Sequence, residues 1–276
     1  MRTTVAPRLA ALATALAAIA ALAGLALPGL YVDAPNWVQQ ARGTDLATLF
    51  LAVPVLGFGL WTARTGSVAG RLGVLAGLLY LVYNYAIFAF SVAMNPLTAV
   101  HIAILGLSLW SLVLGGRQMA DDGETIADRL SRRATGGVLV AVAALFGLLW
   151  LGQIAATSTT GVLPPDLAKA GISSNPVYAL DLAFFLPLCA IAGVGLLRGN
   201  GAAAWAFPML IWVALMGAGV LGGFLTMAVA GDAIALPVLV LITGVCVVSA
   251  VLAMLASVPP RSAAVAAMPR AGHQEG

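Results

Sequence analysis

The chain has 276 residues, 62% of them hydrophobic and only 8% charged, with a net charge of +3. A soluble domain carries about 25% charged residues, so there is too little polar surface to coat a water-soluble globule, and lipid has to be the solvent. This also excludes a large soluble domain beside the spans, and no basic run interleaved with aromatics offers a nucleic-acid face.

Apolar runs of about 20 residues predict transmembrane helices, and the chain contains eight, at 9–30, 44–63, 70–94, 96–115, 136–156, 176–197, 203–229 and 234–257. The expected fold is an all-α polytopic bundle over residues 1–257 with a disordered tail, 258–276, that shows no periodicity. The first run follows Arg2 and Arg8 and contains Ala21-Leu22-Ala23, which also fits a cleaved secretory signal. Its apolar stretch exceeds the roughly 7–15 residues of a signal core, so it is read as span 1; cleavage would leave seven spans.

The connection YVDAPNWVQQARGTD places Trp37 as an interface anchor. Asp45 follows Gly43-Thr44 at the start of span 2, where a carboxylate caps a helix and complements its dipole. Span 3 carries YLVYNYAIFAF, with Tyr80, Tyr83, Asn84 and Phe88 on one helical face and Tyr85 turned about 100° from Asn84. An unpaired amide near mid-span is costly, so Asn84 should face inward, as interhelical glue or as the floor of a polar cavity.

Asn95-Pro96 and Asn175-Pro176 each read as a cap followed by Pro at the first helical position, starting spans 4 and 6. His101 then lies five residues after Pro96, and Asp181 five after Pro176. Both would sit about 7–8 Å below their helix ends, the equal depth that a His–Asp contact requires. A carboxylate beside an imidazole would allow proton or cation handling; a structural interhelical hydrogen bond is the plainer alternative.

Residues 117–135 form the connection between halves 1–116 and 136–257. Met119, Ile126 and Leu130 suit one face of a short interfacial helix. Asp121, Asp122 and Glu124 read as a solvated loop, since no further metal ligands converge. Gln153 in span 5 should bond a neighbouring helix or, less simply, a ligand. Gly-Asn-Gly at 199–201 and Gly231-Asp232 mark turns, Pro259-Pro260 closes the last helix, and Gly217, Gly219, Gly222 and Gly223 make span 7 the nearest to a weak point. Cys189 and Cys246 lie in apolar runs as small hydrophobes, and no Cys/His spacing calls for a metal or other cofactor.

Eight spans put both termini on one side. With the termini cytoplasmic, 11 basic residues fall inside and only Arg42 and Lys169 outside, the pattern of the positive-inside rule. Self-similarity adds a repeat: DLATLFLAVPVLGFGL from Asp45 and DLAFFLPLCAIAGVGL from Asp181 align at an offset of 136 residues, predicting two four-helix halves in parallel. Within each, Gly57/Gly59 and Gly193/Gly195 would let neighbouring backbones approach.

The pocket candidates are Asn84, His101 and Asp181, with Tyr83, Asp45 and Gln153 around them. Three classes fit. The first binds or moves a small solute or proton through an outward-facing pocket. The second is a membrane enzyme, for which His101 as base with Asp181 orienting it is the one sketch, there being no nucleophile elbow, metal cluster or usefully spaced carboxylate pair. The third is a structural or assembly partner. LLYLVYNYAIFAFSVAMNPL, LGLSLWSLVLG and NPVYALDLAFFLPL resemble segments of uncharacterised multi-pass membrane proteins of bacteria. That resemblance implies a bacterial inner-membrane protein and assigns no activity and no site residue.

Overall fold

The computed structural model describes residues 5–258. The expected disordered tail, Pro259-Pro260 and the side chain of Met119 lie outside the described residues. The chain is an all-α bundle with eight helices long and apolar enough to cross a membrane: Val5–Ala26, Pro35–Arg64, Val68–Ser91, Thr98–Gly116, Arg132–Thr160, Pro176–Arg198, Gly201–Val229 and Leu236–Ser257, here spans 1 to 8. A short helix, Pro165–Ala170, sits in the connection between spans 5 and 6.

Several boundaries move from those expected, each for a local reason. Span 2 begins at Pro35, not residue 44, because Pro in the first turn starts a helix that runs on through the polar segment NWVQQARGT. Asp45 is therefore ten residues into a helix and caps nothing. Trp37, expected at the interface, is instead buried, and its indole N–H donates to the Ser91 carbonyl at 3.2 Å. Span 4 begins at Thr98, two residues after Pro96. The Asn95 carboxamide accepts from the Leu97 N–H at 2.9 Å, and the Asn95 N–H donates to Thr98 Oγ1 at 2.9 Å, forming a turn ahead of the helix. Asn175-Pro176 keeps the expected form, with Asn175 as cap and Pro176 first. At its far end the span 4 helix runs unbroken to Ala127, so most of the expected loop is helical. Arg71 holds that extension through paired bonds to Asp122, the second at 2.6 Å, and a Cβ on Gly123 would stand 2.2 Å from the Ala204 carbonyl oxygen.

Span 3 is the centre of the bundle, with 78% of its most apolar stretch buried against 17% for spans 5 and 8, which are the most exposed. It packs on spans 2, 4 and 7. Without a hydrophobic drive between helices in lipid, close packing of small residues does the joining. The tightest crossing is span 2 on span 7, where a Cβ on Gly43 would lie 2.0 Å from the Gly223 backbone nitrogen. The glycines of span 7 thus form a packing surface. Gly59 abuts Gly70, and Gly193 abuts Gly136, as the sequence suggested, while Gly57 has open space.

Two ends can be told apart by what ties them. At one, the Ala93 N–H donates to Asp33 and Asn36 donates to the Asp166 carbonyl; this is the Asp33 end. At the other, the Arg71–Asp122 pair forms.

Spans 2 and 6 share a feature that the sequence reading did not draw out. Each contains one wide π turn, Thr48–Ala52 and Asp181–Phe185, just ahead of an in-helix proline, Pro54 and Pro187. Proline lacks an N–H, and its ring crowds the carbonyl four residues back. Widening the preceding turn relieves that crowding.

Candidate functional site

Of ten acidic residues, only Asp45 and Asp181 lie inside the spans. Both are buried, at 2% and 8% exposure. Neither forms an ion pair among the described residues; the pairs present are Arg71–Asp122 and Lys169–Asp232. A carboxylate within a membrane needs hydrogen-bond donors to hold it, and both draw theirs from aromatic side chains.

Asp45 Oδ2 accepts from the Tyr31 hydroxyl at 2.7 Å. Tyr31 lies in the connection between spans 1 and 2, and burial, reinforced by Asp45, pushes its phenol upward, so it stays protonated and donates. The pair rests directly on the span 1 backbone: a Cβ at Gly24 would fall 2.0 Å from Asp45 Oδ2 and 2.5 Å from the Tyr31 hydroxyl. Nearby, Tyr80 shares a hydrogen bond with Thr48 Oγ1 at 3.0 Å. The Phe88 ring lies 5.9 Å from Tyr31, 5.5 Å from Tyr85 and 4.9 Å from His101.

Asp181 has a different setting. Oδ1 accepts from the Tyr83 hydroxyl at 3.0 Å, and Oδ2 from the Trp150 indole N–H at 2.7 Å. The Trp150 ring stacks on Tyr178 at 4.8 Å, and the Tyr178 hydroxyl donates to Gln153 Oε1. Trp150 and Gln153 are three apart on span 5, and Tyr178 and Asp181 three apart on span 6, so each pair shares a helical face. The two faces meet as crossed pairs in antiparallel register. On the inner side the Tyr83 ring stands edge-on to Phe185 at 5.0 Å and to Trp212 at 5.7 Å, and Phe185 stacks on Trp212 at 4.8 Å. The Trp212 indole nitrogen is buried without a partner.

The structure does not bring His101 to Asp181. His101 sits in the first turn of span 4, 1% exposed, against Tyr85 and Phe88, with Nδ1 unpartnered. Tyr83 and Tyr85 project about 160° apart on an ideal helix, so span 3 stands between the two groups. His101 belongs to the aromatic cluster beside Asp45. Asn84 faces inward as expected, donating to the Tyr80 carbonyl at 3.0 Å and reaching Met216 Sδ on span 7 at 3.5 Å. Tyr85, expected to turn away, is buried as well, because span 3 is enclosed on nearly every side.

Gln153 thus makes its interhelical bond, and Tyr83 joins Asp181; Tyr31, Trp150, Tyr178 and Trp212 were not foreseen. The signal for two of them was present, in the three-residue spacing of Trp150 to Gln153 and of Tyr178 to Asp181. Clefts occur elsewhere. One of about 290 Å³ lies at the Arg71 end, lined by Glu124, Asp128, Arg132 and Asn200. An apolar groove of about 360 Å³ runs between spans 1 and 2. Among the described residues, no group of three or more His, Cys, Asp or Glu side chains converges as metal ligands would. No protein-family profile, curated protein or solved structure matches this chain.

Proposed function

We propose that this integral membrane protein binds, and passes across the bilayer, a small solute or proton at Asp181, with Asp45 serving to fasten spans 1 and 2. One observation carries the reading. One of the two donors to Asp181, the Trp150 indole, stands on a half-exposed, peripheral helix, whereas Asp45 is pressed against backbone. Carboxylates inside spans mark ion and proton pathways by default. The π turn that begins at Asp181 adds a place where span 6 can flex, since such turns gather at functional sites. The basic-residue distribution supports a topology with the Asp33 end, and with it the approach to Asp181, on the non-cytoplasmic face of a bacterial inner membrane. A 4+4 repeat, as the paired sequence segments suggest, would make spans 2 and 6 counterparts that have taken different tasks.

Purified protein in liposomes loaded with a pH-sensitive dye tests it. Under an imposed proton gradient, wild type should collapse the gradient at least about tenfold faster than empty liposomes. Asp181→Asn should reduce that rate to background, and folded Asp45→Asn should keep most of it. Equal rates for wild type and Asp181→Asn would refute the assignment.

A further inference from the structure

Building on that reading, we infer that the Asp181 site takes an organic cation, an ammonium group carrying alkyl substituents, recognised by one carboxylate and the aromatic rings packed around it. The chemistry is on the side chains. Five aromatic rings form two stacked or edge-on groups around this single carboxylate: Trp150 with Tyr178 on one side, and Tyr83, Phe185 and Trp212 on the other. Tyr83 and Trp150 touch the carboxylate directly, through their polar edges. Trp and Tyr faces attract cations through the ring quadrupole, most strongly where water is excluded. A compact, strongly hydrated metal ion would instead need several oxygen ligands, and no group of three or more His, Cys, Asp or Glu side chains converges among the described residues.

The carboxylate keeps capacity for such a guest. Its two oxygens offer about four lone-pair sites, and the chain fills two of them. The outer wall is also the part of the site most easily displaced. Trp150, Gln153 and Tyr178 are all half-buried, and span 5 has 17% of its most apolar stretch buried. Turning the Trp150 indole away from Oδ2 would break one hydrogen bond and one ring stack while leaving span 3 and its packing untouched. By contrast, the phenol on Asp45 has the Gly24 backbone behind it and no comparable wall to move.

Choline and its uncharged isostere 3,3-dimethylbutan-1-ol separate charge from shape. Binding to the detergent-purified full chain is followed by thermal shift and equilibrium dialysis. Choline should bind saturably, and the isostere should bind at least about tenfold more weakly, given the worth of a desolvated cation–aromatic contact. Asp181→Asn should weaken choline at least about tenfold. Because that variant could fold poorly, two changes at Trp150 serve as an independent check: Trp150→Phe, which keeps a ring, should stay within about threefold of wild type, while Trp150→Leu should lose about tenfold. No saturable choline binding, equal binding of the isostere, or equal effects of Phe and Leu at position 150 would overturn the inference. If proton flux still depends on Asp181 while choline fails to bind, Asp181 remains the working group and only the organic cation falls. If neither depends on Asp181, both do.

Discussion

Asp45 and Asp181 open the same sequence pattern 136 residues apart, yet the fold treats them differently. Asp45 meets one phenol and a glycine backbone, so its surroundings cannot shift without moving span 1. Asp181 meets a phenol from the core and an indole from the periphery, so one of its two partners stands on a mostly exposed helix. A buried carboxylate alone therefore does not identify a working site. What separates the two is whether the donors belong to a part that can move.

The largest way to break this contrast is at the sealed site. Gly24→Ala should cost about 3 kcal/mol of stability, because a methyl 2.0 Å from Asp45 Oδ2 must displace the carboxylate or the helix. Reversible unfolding in mixed micelles measures it; a change below about 0.5 kcal/mol would mean that the Asp45 site is not closed. Next come the two phenols. Tyr31→Phe removes the one side-chain donor to Asp45 among the described residues and should cost about 2 kcal/mol, whereas Tyr83→Phe leaves Trp150 on Asp181 and should cost about 1 kcal/mol. The same unfolding series checks the order, and a reversal would contradict the division of roles. The smallest effect is expected for Trp150→Phe. It should change stability by no more than about 0.6 kcal/mol, the usual worth of a hydrogen bond between membrane helices, read in the same unfolding series.

Much of this architecture was legible in the chain. Long apolar runs set the eight spans, and Asn175-Pro176 and the Gly199 turn fixed boundaries because proline and glycine act locally. The apolar run alone predicts too short a span 2 because its first turns are polar; Pro35 starts the helix, and the crossing with span 7 packs NWVQQARGT into the bundle. A span starting at residue 44 makes Asp45 a cap, whereas it lies ten residues into the helix. The His101–Asp181 pairing failed for two reasons: the Asn95 turn delays the helix start, and depth along a helix says nothing about which side of span 3 a residue occupies. The two donors to Asp181 come from spans 3 and 5, and nothing local in either announces the other.

The claim that Asp181 is reachable and Asp45 sealed can be tested by thiol accessibility. With Cys189 and Cys246 first replaced by alanine, the Asp45→Cys and Asp181→Cys variants are exposed in liposomes to a membrane-impermeant methanethiosulfonate reagent. The account predicts that the position 181 thiol reacts from one face of the membrane, and that choline slows it, while the position 45 thiol stays unreacted until the protein is unfolded. Labelling at position 45 with none at position 181 would contradict it.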